Sequence, residues 1–208
     1  MNIIANTCIG ARLYQLNKSV YTNPFMWSIV DADSMIKLIK NYKNMNFDNY
    51  ELSKSDYYNR TPFYRNQYNT ELSNPLFIFK ITIDDLVDLH FVHYRFNACK
   101  NVPTVNGVNV ESNKIWEYVV EKYSSRIKRM LANNEHPKFV ITVLESDYTL
   151  EKQQEIANLD TEYKTIMLCD NPDDIHTDNS NILIKKIIRP YGTCMNLAKT
   201  YNDVILNF

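Results

Sequence analysis

Apolar residues recur along this chain with two different spacings, one typical of strands and the other typical of helices. Short apolar runs predict strands at residues 2–7, 76–83, 87–94, 138–144, 164–169 and 182–188. Apolar positions three and four residues apart predict helices at residues 11–16, 113–131, 149–159 and 196–206. The same spacing predicts a helix that ends near residue 44, with Asp31 or Asp33 as its N-cap. Because helices and strands alternate in the second half of the chain, we expect an α/β sheet with helices on both faces.

Residues 45–75 interrupt this pattern. Asn, Tyr, Asp and Ser dominate the segment, and Pro62 and Pro75 punctuate it. The segment is too long for an ordinary connection, so it either contains small strands or forms a lid over a site. The pattern as a whole predicts a single α/β domain over residues 1–208, with this segment as a loop-rich insertion.

Composition and charge argue against several classes of protein. The 208 residues carry a formal net charge of −1 and no basic stripe, so we expect no nucleic-acid partner. No apolar run approaches the roughly 20 residues of a membrane span, and no secretory signal begins the chain, so we expect a cytoplasmic protein. The cysteines match neither a metal motif nor a disulfide framework, and we predict no metal and no cofactor. They are Cys8, Cys99, Cys169 and Cys194.

Cys8 is the first candidate for chemistry, because it stands where a predicted strand passes into a predicted helix. Gly10 breaks the strand pattern, and residues 11–16 begin the helix. A thiol at such a junction meets the positive end of the helix dipole, which favours the thiolate. The alternative is that Cys8 packs as a small buried hydrophobic residue, as free cysteines often do.

A thiolate nucleophile needs a base within hydrogen-bonding reach, and two histidines share the strand predicted at residues 87–94. Side chains alternate along a strand, so His90 and His93 point to opposite faces and do not ligate one metal ion together unless the strand bulges. We favour His93 as the base because it is nearer the carboxyl end of the strand, where α/β sheets bind ligands. Each histidine alternatively belongs to the core. His136 and His176 are expected in solvated turns.

Three further charged residues lie at positions suited to a site. Asp147 follows the strand at residues 138–144, where it either orients a histidine or forms part of the turn and cap before the next helix. Arg126 and Arg129 are three residues apart in the helix at residues 113–131, so they share a side of it. Two guanidinium groups there either hold a phosphate or carboxylate, or form a solvated face.

Four short segments form an ordered pattern along the chain. They are Asn6-Thr7-Cys8-Ile9-Gly10, Asn23-Pro24-Phe25, His90-Phe91-Val92-His93-Tyr94, and Trp116 with Arg126 and Arg129. Together they resemble a bacterial family of unknown function whose members are labelled exopolysaccharide biosynthesis proteins. The early cysteine and the stretch Pro24-Phe25-Met26-Trp27 are also distantly similar to a family of papain-like cysteine peptidases.

The resemblance implies a three-layer α/β/α sandwich with a mixed, mostly parallel sheet, encoded among genes for capsule or surface polysaccharide. It strengthens Cys8 as the nucleophile and His93 as its base, with His90 and Asp147 as further catalytic candidates. The residues that we expect to contact the substrate are Asn6, Gly10, Arg12, Tyr94, Arg126 and Arg129.

Three functions remain open as hypotheses. The first is acyl or glycosyl transfer in the assembly of a surface polysaccharide, on a small-molecule or glycan substrate. The second is a papain-like hydrolase with the same Cys8–His93 pair, which differs only in its acceptor. The third is a non-catalytic partner in a glycan-assembly complex, in which Cys8 is merely packed. A homo-oligomer is compatible with all three.

Overall fold

The computed structural model describes residues 1–57, 77–97, 102–105, 108–109, 112–133, 135–143, 147–188 and 193–208. Within them, the strands form two separate sheets. The first consists of β1 (Ile3–Ala5), β7 (Lys138–Thr142), β8 (Thr165–Cys169) and β9 (Ile182–Lys186). These strands are parallel and lie in the order β1-β7-β8-β9. The second consists of β2 (Tyr50–Ser55), β3 (Phe77–Ile83), β4 (Val87–Asn97), β5 (Val102–Val105) and β6 (Val108–Asn109), antiparallel and in chain order.

The α/β fold predicted from the sequence is confirmed, and the strands divide between these two sheets instead of sharing one mixed sheet. The connections explain the division. β3 and β4 are joined by a tight turn in which Asp84 and Asp85 both have positive φ, and so short a turn requires antiparallel pairing. β7 and β8 are joined through a helix, which allows them to pair in parallel.

The predicted insertion at residues 45–75 is described as far as residue 57. This part contains β2 and two buried aromatic side chains, Phe47 and Tyr57. Because β2 pairs with β3 along its whole length, the first part of the insertion is a strand of the antiparallel sheet. Residues 58–75, on which the idea of a lid depends, lie outside the described residues.

Helices cover both faces of the parallel sheet, as the sequence predicts. They are α1 (Ile9–Leu16), α2 (Ala32–Asn41), α3 (Ser112–Leu131), α4 (Leu150–Ala157) and α5 (Cys194–Asn207). Ile3 and Ala5 pack with α1 and α5, whereas Ile4 between them packs into the core on the other face. That second core extends to α2, α3, α4 and the antiparallel sheet. In the part of the chain that the structure describes, no helix is long and apolar enough to cross a membrane.

Buried hydrogen bonds at the carboxyl edge of the parallel sheet position the segment that leads into α2. The side-chain amide of Asn6 is fully buried; it donates to the Thr142 carbonyl at 3.0 Å and accepts from the Thr142 N–H at 2.8 Å. The backbone carbonyl of Asn6 accepts from the N–H of Val30 at 3.0 Å. One residue earlier, Ile29 exchanges two backbone hydrogen bonds with His90 of β4, at 2.8 and 2.9 Å. This short segment therefore joins the two sheets.

Gly10 is a close approach between α1 and β1, because a Cβ added there would lie 2.9 Å from the Cβ of Ala5. Carbon atoms of this kind do not pack so closely, so the backbone of α1 or β1 must shift. We expect Gly10→Ala to lower the free energy of unfolding by about 1–3 kcal/mol, although alanine favours a helix over glycine by about 1 kcal/mol. Urea unfolding followed by circular dichroism measures the change.

The control for this prediction is Ala5→Gly, which removes the atom that the new methyl group would meet. We expect the variant with both changes to be more stable than the sum of the two single effects, by about 1 kcal/mol. Strictly additive effects would contradict a direct clash between Gly10→Ala and Ala5.

Cys169 makes the stability of the fold sensitive to alkaline pH. Its side chain is fully buried, and this burial, together with the neighbouring Asp170 carboxylate, raises the pKa of its thiol to about 11. The unfolded chain loses the thiol proton first, at about pH 8.5, so the stabilisation from this group is complete below that pH and is lost as the pH rises towards 11. We therefore expect the free energy of unfolding to fall over this range, and to fall less steeply in Cys169→Ala. Denaturant unfolding at each pH measures both slopes, and equal slopes would contradict the prediction.

Candidate functional site

Polar side chains from the antiparallel sheet, from the start of α2 and from the loop after β7 converge on a cavity of about 580 Å³. The ionisable and hydroxyl groups in its wall include those of Asp31, Ser34, Ser55, Asp88, His90 and Asp147. Asp147 lies just beyond the carboxyl end of β7, which is the edge where α/β sheets bind ligands. The cavity is therefore the candidate functional site.

His90 is held from three directions. Its Nδ1 lies 2.8 Å from the Ser55 hydroxyl, and its ring stacks on that of Tyr57 with the centroids 4.5 Å apart. Its Nε2 lies 3.6 Å from Asp31 Oδ2, which is longer than a hydrogen bond. The residue is only 5% exposed, and Nε2 has no hydrogen-bond partner among the described residues. The imidazole is thus fixed with one nitrogen directed at a carboxylate.

Asp31 presents one carboxylate oxygen to α2 and the other to His90. Oδ1 accepts a hydrogen bond of 2.7 Å from the N–H of Ser34, which confirms Asp31 as the predicted N-cap of α2. Burial raises the pKa of this carboxyl, but the interactions with His90 and with the Ser34 N–H outweigh burial and leave the pKa below its ordinary value. Asp31 is therefore an anion at neutral pH.

Asp147 also faces the N-terminus of α2. Its Oδ2 accepts a hydrogen bond of 2.8 Å from the N–H of Ala32, whereas its Oδ1 is buried and has no hydrogen-bond partner among the described residues. Burial raises the pKa of Asp147, the Ala32 N–H lowers it, and the charge of Asp31 raises it further, so that the net shift is upward. Thr149 is the N-cap of α4, so the predicted alternative that Asp147 caps the following helix is wrong. Asp147 instead accepts a hydrogen bond from the first turn of α2.

Asp88 completes the group of ionisable side chains. Its Oδ2 is 3.0 Å from Lys80 Nζ, and its Oδ1 accepts a hydrogen bond of 2.6 Å from the Thr82 hydroxyl. Potential ligand atoms of Asp31, Asp88 and His90 all lie within 4.8 Å of one another. Two carboxylates and an imidazole therefore meet at one point of the cavity wall.

The structure brings His90 and Asp147 together, but the side chains of His93 and Tyr94 lie outside the described residues. The backbone of β4 is described there, and its pairing with β3 shifts: successive residues of β3 face Arg95 and then Phe91. The roles of His93 as base and Tyr94 as substrate contact stay predictions.

Cys8 is the N-cap residue of α1, so it stands at the predicted junction of strand and helix. Its side chain is half-buried. Among the described residues that line the cavity, Cys8 does not appear, and the two ring nitrogens of His90 face Ser55 and Asp31. The catalytic pairing of Cys8 with His93 therefore stays a prediction.

Two of the predicted substrate-binding arginines meet at one turn, at residues 23–27. Arg126 Nη1 donates to the Met26 carbonyl at 2.9 Å, and the Arg12 guanidinium lies 4.6 Å from the centre of the Trp27 ring. Trp27 has a φ of 64°, which is unusual for so bulky a residue. The two arginines thus both contact a strained turn on the α1 side of the molecule.

The remaining predicted contacts have different surroundings. Asn6 is fully buried with its amide bonded to Thr142, and Gly10 is buried against Ala5. Arg129 is exposed, unlike the half-buried Arg126 one helical turn before it. Their roles as substrate contacts stay predictions.

Sequence reasoning missed Asp88 and Ser55 as members of the site. Asp88 and His90 are two residues apart on β4, so they share a face of the strand, while the alternating Val87 and Leu89 are buried in the core. This alternation of polar and apolar residues is visible in the sequence and indicates a polar face of β4. Ser55 carries no such signal, because it lies in the segment that resembles a loop.

The chain matches no protein-family model and no curated protein. Its α/β fold and the geometry of the cavity therefore carry the functional argument. His136 and His176, which the sequence predicts in solvated turns, are both exposed, which leaves His90 as the histidine of the described site.

Cys8 and Cys194 are matched thiols, because both are half-buried and both stand at the beginning of a helix. We expect iodoacetamide at neutral pH to modify both in the folded protein and to leave the buried Cys169 unmodified until the chain unfolds, since only an accessible thiolate reacts. Mass spectrometry of the labelled peptides measures the three rates. Modification of Cys169 as fast as Cys194 would contradict its burial.

Proposed function

We propose that this protein is an enzyme that transfers a glycosyl or acyl group on a carbohydrate substrate, with the cavity beside α2 as its active centre. The observation that carries the proposal is the carboxyl group of Asp147, which has one oxygen bonded to Ala32 and the other buried, with no hydrogen-bond partner in the described part of the chain. A buried polar atom without a partner costs roughly 1–3 kcal/mol. Such a cost is typical of a group kept for chemistry rather than for stability.

Asp147 acts in this proposal as the general acid–base. The Asp147 carboxylate takes the proton of the incoming hydroxyl or water as its oxygen forms a bond to the transferred group, and gives that proton to the leaving oxygen as the bond between that oxygen and the transferred group breaks. Burial raises the pKa of Asp147 and so brings it closer to neutral pH, where a general acid–base works best.

The wall of the cavity supports a hydroxyl-rich substrate. Ser34, Lys37 and Thr82 add hydroxyl and ammonium groups to the carboxylates, whereas the apolar contribution includes Leu86. Alternating donors and acceptors suit the hydroxyl groups of a sugar. The resemblance to exopolysaccharide biosynthesis proteins supports the same class of substrate, and we propose a role in the assembly or modification of a surface polysaccharide.

Cys8 gives a second candidate for the catalytic group. Its position as the N-cap of α1 favours the thiolate, and it stands at the same edge of the parallel sheet as Asp147. In this version Cys8 carries the transferred group and His93 is its base. Labelling of Cys8 much faster than of the matched Cys194 would favour it, and equal rates would remove its support.

The test of the proposal is Asp147→Asn, which keeps an oxygen for the Ala32 N–H but cannot exchange a proton. We expect kcat to fall by about 10²–10⁴-fold with circular dichroism unchanged. The substrates are 4-nitrophenyl glycosides, acetylated sugars and nucleotide sugars, and mass spectrometry identifies the products.

Asp173→Asn is the control, because Asp173 is exposed in a 3-10 turn after β8 and does not line the cavity. It removes the same charge and should keep full activity. Wild-type protein that converts none of the three kinds of substrate, or an Asp147→Asn variant as active as wild type, would contradict the proposal.

A further inference from the structure

The group formed by Asp31, Asp88 and His90 has the composition of a metal site, although the sequence predicts none. Its potential ligand atoms lie within 4.8 Å of one another. Neighbouring ligands of a tetrahedral ion are about 3.4 Å apart, and His90 Nε2 is 3.6 Å from Asp31 Oδ2, so rotation of these side chains would bring all three onto one ion. Acidic groups alone often cluster without a metal, but this group also contains a buried ring nitrogen.

The ring nitrogen Nε2 of His90 points independently to a bound ion. The side chain is only 6% exposed, and Nε2 is directed at Asp31 Oδ2 from 3.6 Å, with no hydrogen-bond partner among the residues that the structure describes. A buried ring nitrogen without a partner is costly, and binding an ion would satisfy it. His90 itself is fixed on both sides of its backbone, by Ile29 and by Lys80 of β3, so its position does not depend on the ion.

Ser55 supplies the contact that a metal-bound histidine needs at its other nitrogen. The Ser55 hydroxyl lies 2.8 Å from His90 Nδ1 and also accepts the N–H of Tyr57 at 3.1 Å. With the Nδ1 proton donated to this oxygen, Nε2 carries the lone pair and points it at the Asp31 carboxylate. Histidines that bind metals are generally oriented in this way.

We propose that Asp31, Asp88 and His90 bind one divalent transition-metal ion, Mn²⁺ or Zn²⁺. An imidazole with two carboxylates suits these ions, whereas Mg²⁺ and Ca²⁺ prefer oxygen ligands throughout. Because the three ligands belong to the wall of the cavity, the ion keeps positions open towards it for water or for a substrate oxygen. The inference deepens the proposed function, on which its catalytic meaning rests, but ion binding is measured without any substrate.

Lys80 gives the site a distinctive property. Its ammonium group lies 3.0 Å from Asp88 Oδ2 and therefore competes with a cation for the same carboxylate. Removal of that charge by Lys80→Met should tighten binding of the ion. On an ordinary acidic surface, Lys80→Met would also tighten binding of the ion. Removal of any nearby carboxylate would then weaken binding equally, so the control removes a carboxylate that lies outside the group of three.

The experiment is calorimetric titration of the protein with Mn²⁺ alone and with Zn²⁺ alone. We expect one ion per chain, a Kd at least about tenfold higher in Asp88→Asn, and a lower Kd in Lys80→Met. The control is Asp85→Asn, since Asp85 lines the same cavity but lies outside the group of three and has a positive φ that asparagine tolerates. Its Kd should equal that of the wild type.

A measurement on the unmodified protein guards against variants that fail to fold. Paramagnetic Mn²⁺ should broaden the ring-proton NMR signals of His90 at substoichiometric amounts and leave those of the exposed His136 and His176 sharp. Absence of saturable binding of both ions, equal weakening by Asp85→Asn and Asp88→Asn, or unchanged affinity in Lys80→Met would overturn the site. Catalysis that depends on Asp147 without ion binding would overturn this inference alone, and ion binding without turnover would overturn only the proposed function.

Discussion

The arrangement of the site depends on the hydrogen bonds that fasten the segment before α2 to both sheets. Asn6 extends the pairing of β1 with β7 through its side chain and uses its backbone carbonyl to hold Val30. Tyr148 donates a further hydrogen bond of 3.0 Å to the Val30 carbonyl. Since Ile29 pairs with His90, the same few atoms fix the distance between the parallel sheet and the antiparallel sheet. The two sheets also share one apolar core, and these hydrogen bonds hold the polar groups of the cavity wall in a fixed position within it.

The cavity concentrates negative charge where the backbone compensates for it only in part. The N-terminus of α2 offers the N–H of Ser34 to Asp31 and the N–H of Ala32 to Asp147, and the helix dipole favours both anions there. Asp88 is balanced by Lys80. The buried oxygen of Asp147 has no hydrogen-bond partner in the described part of the chain. A buried oxygen in this state lowers the stability of the fold, so the start of α2 is electrostatically less balanced than its surroundings.

Much of the fold was accessible from the sequence because its elements have clear periodicity. The predicted helix at residues 113–131 is α3 (Ser112–Leu131), and Asp31 caps α2 as expected, because an N-cap is a local property. Pairing between strands is not local, and the apolar pattern does not state which strands are neighbours. The turn at Asp84 and Asp85 did contain that information, since a hairpin commits its two strands to one antiparallel sheet.

The candidate site was harder to predict than the fold. Asp147 and His90 stood out because each follows or interrupts an apolar run, and the structure places both at the cavity. Asp88 was not predicted, because the histidines His90 and His93 were compared only with each other. Asp88 and His90 are two residues apart and therefore share one face of β4. Ser55 depends on the path of the chain through residues 45–57, which no periodicity reveals.

Two groups of residues flank the segment that precedes α2, and the backbone connects them directly. On one side the turn ending at Trp27 is held in a strained conformation by contacts with Arg12 and Arg126. Two residues later, Ile29 begins the contacts that lead to the cavity. A backbone conformation of this kind costs of the order of 1–3 kcal/mol and persists only where its surroundings enforce it. Arg12 and Arg126 therefore contribute to the path by which the chain reaches Asp31. The position of this carboxylate thus depends on α1 and α3 as well as on the two sheets.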